Sequence, residues 1–98
     1  ISHYKKAIKI KPDYMNAHNN LGNILLVEGK TEQAIIHYKK AIEFKPDDAD
    51  AYSNLGNALL ANGKTEKAIS HYQKAIKIKP DFAEAHINLK IAFSKLEE

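Results

Sequence analysis

Three histidines recur at a fixed interval: His3, His37 and His71 are each 34 residues apart. Imidazole is the commonest protein metal ligand, so a row of histidines is the first chemistry to test. The interval argues against it. Stacked helices bring equivalent positions to about 8–10 Å of one another, whereas a shared zinc ion needs every ligand atom at about 2 Å. The three read instead as surface positions, each paired with the tyrosine that follows it (Tyr4, Tyr38, Tyr72), and neither a metal nor any other cofactor is expected. A second set recurs at the same interval: Asn20, Asn54 and Asn88. Asn16, Asn19, Asn23 and Asn57 lie on the same helix side, at three- and four-residue steps. An amide both donates and accepts, so such a row can hold the backbone of an extended peptide without reading its side chains. The other reading of the row is that the asparagines link neighbouring helices.

Other chemistry is scarce. With no cysteine, disulfides, thiolate metal sites and cysteine nucleophiles are excluded, which fits a cytoplasmic location. There is no Ser-His-Asp arrangement beyond chance, no glycine-rich phosphate loop and no paired buried carboxylates. The chain is not expected to be an enzyme. Its 98 residues suffice for one domain, and 44% hydrophobic with 28% charged residues is the composition of a folded chain. No apolar run approaches the roughly 18–20 residues that cross a bilayer, so no membrane insertion is expected. The first residue is not Met, and the chain reads as a piece of something longer.

The elements that position these residues follow from the same interval. Pro12, Pro46 and Pro80 are 34 apart, each followed by Asp (Asp13, Asp47, Asp81), and residues 15–48 align with 49–82 almost throughout. Asn20-Leu21-Gly22-Asn23 returns as Asn54-Leu55-Gly56-Asn57, and Gly29-Lys30-Thr31-Glu32 as Gly63-Lys64-Thr65-Glu66. Residues 1–14 match the back half of a unit and 83–98 the front half, so a single domain reads as half a repeat, two whole repeats and a further half.

Each unit is two helices. Ala17, Leu21, Ile24 and Leu25 make one face of a 3.6-residue period over about Tyr14 to Glu28. Asp13, Asp47 and Asp81 stand where N-caps belong, and Asp81 with Glu84 has capping-box spacing. Gly29 and Gly63 stop the first helices, and Thr31 and Thr65 are expected to cap the second, which run to about Phe44 in the first full unit. Six helices follow. Helices this short are marginal alone, so they must pack, and Gly22 with Ala34, like Gly56 with Ala68, offers small side chains for a close approach.

These residues resemble the tetratricopeptide signature, W-x2-L-G-x2-Y, A-x3-F and P over 34 residues. Here it stands as His18-x2-Leu21-Gly22-x2-Leu25, Ala34-x3-Tyr38, Ala41 and Pro46, then as Tyr52-x2-Leu55-Gly56-x2-Leu59, Ala68-x3-Tyr72, Ala75 and Pro80. The resemblance covers the whole chain. It implies an all-α, right-handed superhelical α-solenoid of antiparallel helix pairs. His18 and His86, in the signature's first aromatic slot, are expected to pack. The last helix departs from the pattern: in His86-x2-Leu89-Lys90-x2-Phe93, Lys90 takes the glycine slot. Residues 83–98 are then either a capping helix, with Lys90 turned to water, or a degenerate repeat from a longer array. The helix over 1–12 lacks its partner, so either the array continues beyond it or one chain's start leans on another's end, in end-to-end self-association.

The resemblance also implies where a partner would bind. First helices line the concave face in this family, which places Asn16, Asn19, Asn20, Asn23, Asp50, Asn54, Asn57 and Asn88 there as candidate peptide-binding residues. The ladder is similar to the one lining the repeats of O-linked N-acetylglucosamine transferases. Nothing resembles a glycosyltransferase domain. Chaperone-binding members grip a C-terminal carboxylate with cations, but Asn19, Glu84 and Asn88 occupy those slots. Despite the net charge of +3, Lys5, Lys6, Lys39, Lys40 and Lys74 fall on the second helices, the outer face, with Glu32, Glu43 and Glu66 among them. A nucleic-acid reader would need a basic groove with stacking aromatics, and Asn16, Asp50, Ser53 and Glu84 make a neutral one. The expected function is a scaffold module for a protein or peptide partner, with no nucleic acid. A substrate-docking segment of a larger enzyme such as a glycosyltransferase, and a structural or engineered repeat without a partner, are the alternatives.

Overall fold

The computed structural model describes residues 15–97, apart from the side chains of Met15 and Asn16. These residues form helices α1 (Met15–Val27), α2 (Thr31–Phe44), α3 (Ala49–Ala61), α4 (Thr65–Ile78) and α5 (Ala83–Leu96), with no strand among them. Five helices thus stand among the described residues where six were expected. The remaining one, over 1–12, lies outside them, as do Asp13, His3, Lys5 and Lys6.

The glycines end the first helices as expected. Gly29 and Gly63 have φ of 80° and 79°, the left-handed region that other residues enter at a cost. The turn is closed by the backbone. The Lys30 N–H donates to the Leu25 carbonyl (2.8 Å) and the Gly29 N–H to Leu26 (3.0 Å), and Lys64 and Gly63 repeat the pattern on Leu59 and Leu60.

The helix starts correct the sequence reading. α3 is capped by Asp48, whose carboxylate accepts the Asp50 N–H at 3.1 Å, and not by Asp47. The Asp48 N–H reaches back to the Lys45 carbonyl (3.2 Å), so Pro46 and Asp47 are spent in a turn and Asp48 is the extended residue before the helix. α5 starts after Phe82 with no side-chain cap, so neither the Asp81 cap nor its box with Glu84 is made. Thr31 and Thr65 are the first helical residues; the cap positions fall to Lys30 and Lys64, which make no side-chain cap bond. The glycine turn delivers the chain directly into the next helix, leaving no residue between for a threonine cap.

The larger of two apolar clusters runs through the array, including Leu21, Leu25, Ile35, Leu55, Leu59 and Ile69 with the fully buried Tyr38 and Tyr72; a smaller one gathers Ala49, Ala75 and Ala85. Each helix packs on the next; α1 also meets α3, and α3 meets α5. α2 and α4 stay beyond 8 Å Cα–Cα. The inner row is therefore α1, α3 and α5, and the outer row is splayed. The gap is a cleft of about 400 Å3 floored by Ile35 and Leu59 and rimmed by Lys39, Lys64 and Lys67.

The close approach at Gly22 differs in detail from expectation. Its neighbour is the ring of Tyr38: a Cβ on Gly22 would stand 2.6 Å from Tyr38 Cε1, and one on Gly56 would stand 2.7 Å from Tyr72 Cε1.

Candidate peptide-binding face

The face begins from residues at one-turn steps on the inner helices. On α1, Asn20 is exposed. On α3, Asn54 is half-buried, as is Asn88 on α5. Among the described residues the side chains of Asn20 and Asn54 make no hydrogen bond. Their amides keep both donors and an acceptor for a ligand.

The flanking asparagines are engaged within the fold. Asn19 donates from Nδ2 to Asp48 Oδ2 (3.5 Å), tying α1 to the cap of α3. Asn23 Oδ1 accepts the Tyr38 hydroxyl at 2.5 Å, and Asn57 Oδ1 accepts that of Tyr72 at 2.5 Å. Asn57 also accepts Nδ2 of Asn88 at 3.1 Å, linking α3 to α5. Asp50 is exposed, at the first turn of α3. The side chain of Asn16 is outside the described residues.

The two tyrosines, which fill the second aromatic slot of the signature and were also expected in a surface pair with histidine, are interior residues that carry the face. Each ring is fully buried against a glycine, and each hydroxyl orients an inner-face asparagine. Burial pushes the phenol of Tyr38 up to about 12; burial, and then the charge of Glu84, do the same for Tyr72. Both therefore stay protonated donors through the neutral range. The signal was in the sequence: Gly-Asn stands in both full units, 15 and 16 residues before the tyrosine.

The histidines divide. His18 is buried, as expected, and stacks on His37 and Phe44 with centroids 5.4 and 5.9 Å away. Its Nδ1 lies 3.2 Å from Nδ1 of His37, so one ring must supply the proton and the other the lone pair. His37 is thus drawn into the fold. His71 is half-buried, donating Nδ1–H to the Lys67 carbonyl at 2.8 Å. His86 was expected to pack and does not: it is exposed, its Nε2–H on the Pro80 carbonyl at 2.8 Å. With no following helix described against α5, that slot has no second wall. No group of three or more histidines and carboxylates that could hold a metal occurs among the described residues. No described helix is long and apolar enough to cross a membrane. Lys39, Lys40 and Lys74 are exposed on α2 and α4, and Lys90 is exposed on α5.

Comparison with known proteins matches these features to one family. A model described as TPR repeat matches residues 1–27 and 22–63, and one described as tetratricopeptide repeat matches 49–82. No curated protein sequence matches. Several solved structures do. The first TPR of Spaghetti (RPAP3), bound to the HSP90 peptide SRMEEVD, superposes with a TM-score of 0.92 at 23% identity, over 97% of this chain and 75% of that one. A mutant O-GlcNAc transferase of Thermobaculum terrenum gives 0.87 at 30% identity, over 91% of this chain and 17% of the transferase. MamA gives 0.89 at 28%, over 97% of this chain and 56% of its own length.

Proposed function

Because the chain belongs to the tetratricopeptide repeat family, we propose that it is a protein-interaction module whose inner row, α1, α3 and α5, holds an extended peptide of a partner protein. One observation carries the reading: Asn20 and Asn54, one repeat apart, keep their amides unengaged, while Asn19, Asn23 and Asn57 beside them are held by the fold. Asn88 shares the register and has a second N–H beyond the one given to Asn57. In this reading Asn20, Asn54 and Asn88 grip peptide backbone, and Asn16 and Asp50 flank them. Asn19, Asn23 and Asn57 keep the row in place. The Spaghetti domain, of the same fold, holds a peptide, which supports this class of ligand. A cytoplasmic setting, in keeping with a chain free of cysteine, belongs to the same proposal.

The test is a peptide-array screen against the isolated chain, repeated with Asn20→Ala, Asn54→Ala and Asn88→Ala together. Peptides enriched at about micromolar affinity, lost in the triple variant with the melting temperature within a few degrees, support the reading. No enrichment, or a large fall in melting temperature, defeats it.

A second reading is favoured by the likeness to the O-GlcNAc transferase chain, of which this sequence spans 17%: a substrate-docking segment of a larger enzyme. A parent reading frame without any catalytic domain would remove it.

A further inference from the structure

In both full repeats one residue pair receives the tyrosine of the following helix. Gly22 leaves room for the Tyr38 ring and Asn23 takes its hydroxyl; Gly56 and Asn57 do the same for Tyr72. At the corresponding positions of α5, one repeat beyond Gly56 and Asn57, stand Lys90 and Ile91. Both defects fall on the same incoming residue. A Cβ at the glycine position of the earlier repeats would meet the ring at 2.6–2.7 Å, closer than carbon atoms pack. An isoleucine offers no acceptor, so the hydroxyl would be buried unsatisfied. Lys90 and Ile91 are both exposed in the structure, where Gly22 and Gly56 are buried.

We infer that α5 is keyed against the helix type that follows α1 and α3: it rejects a helix carrying Ala-x3-Tyr in the register of the array. A second copy of this chain falls under the same exclusion. Residues 1–14 match the back half of a repeat, and Tyr4 takes the position of Tyr38. The end-to-end pairing that the half-two-half frame suggests would set Tyr4 against Lys90 and Ile91. The large apolar side chains that α5 leaves exposed, Ile87, Ile91, Phe93 and Leu96, therefore do not amount to an open end for more of the same repeat.

The test extends the full chain by a repeated copy of residues 65–79 after Glu98, which continues the register of α4. Glu97→Gly is included in every arm to supply the turn that Gly63 makes. Amide exchange of the added segment is followed by NMR, with the amides of α1 to α4 as a folding control. With Lys90 and Ile91 in place, the segment is expected to exchange as an undocked peptide. With Lys90→Gly and Ile91→Asn, it is expected to slow by about tenfold or more, as docked helices do. If the two changes loosen α5 itself, Lys90→Gly alone is read in the same way. Equal protection with the native residues overturns the inference, and so does absence of protection once the seat is restored.

Discussion

The hydroxyl of Tyr72 donates to Oδ1 of Asn57 across 2.5 Å, and Nδ2 of Asn88 reaches the same oxygen at 3.1 Å. One amide oxygen thus joins α3, α4 and α5. Tyr72→Phe removes one donor and leaves the oxygen its other partner, at a cost of about 0.5–1.5 kcal/mol. Asn57→Ala strands the buried phenol and should cost more, about 1–3 kcal/mol. Urea denaturation of both variants and of the double variant measures the coupling. If Asn57→Ala costs no more than Tyr72→Phe, the asparagine is not what satisfies the phenol.

Alkaline pH should act through the same pair. Tyr38 and Tyr72 rise to about 12 in the folded chain, from about 10 when unfolded. A raised folded value means that the unfolded state releases its proton first. The stability tied to the two phenols is complete below pH of about 10 and is lost as the pH climbs towards about 12. Thermal melts in steps from pH 8 to 12 should show the fall beginning near 10, and it should shrink in the Tyr38→Phe, Tyr72→Phe variant.

Two glycines should fail for different reasons when changed to alanine. At Gly56 the new Cβ meets the Tyr72 ring at 2.7 Å, an overpacking cost of about 1–3 kcal/mol, offset by at most about 1 kcal/mol of helix propensity. At Gly63 nothing lies within 4 Å, but φ is 79°, which strains alanine by about 1 kcal/mol. In a Tyr72→Ala background the Gly56→Ala penalty should vanish while the Gly63→Ala penalty stays. Denaturation midpoints decide it: a Gly56 penalty that survives loss of the ring would contradict the contact.

Ser53 carries a buried hydroxyl without a hydrogen-bond partner among the described residues. Ser53→Ala keeps the shape and removes the orphan, so a gain of up to about 1 kcal/mol is expected. A loss on calorimetry would mean that the hydroxyl has a partner after all.

The helix ends at the two glycine turns and before Pro46 and Pro80 were legible in the sequence, because a proline beyond a helix and a glycine at positive φ act locally. Which aspartate caps α3 was not legible. Asp47 and Asp48 are adjacent and chemically alike, and the choice depends on the turn that the Asp48 N–H closes on Lys45. The candidate face was legible as a row of like residues but not as a division of labour. Asn19 and Asn20 are neighbours in sequence, yet one meets the carboxylate that caps the next helix pair and the other is exposed with no hydrogen bond among the described residues. That distinction is set by helix rotation of about 100° per residue, which one chain's residue types do not reveal. The same blindness put His37 and Tyr38 together on the surface, where the structure stacks one on His18 and buries the other completely.

The cleft between α2 and α4 has a mechanical meaning. Along the inner row α1 meets α3 and α3 meets α5, while on the outer side the cleft opens above the buried Ile35 and Leu59. Any bending of the array would therefore fall on the slot, as in a slotted beam, and leave the inner edge nearly constant in length. Each repeat contacts only its neighbours, so no longer-range contact opposes such a change. On that geometry the spacing of Asn20 and Asn54 along the inner edge would change least, and the curvature most.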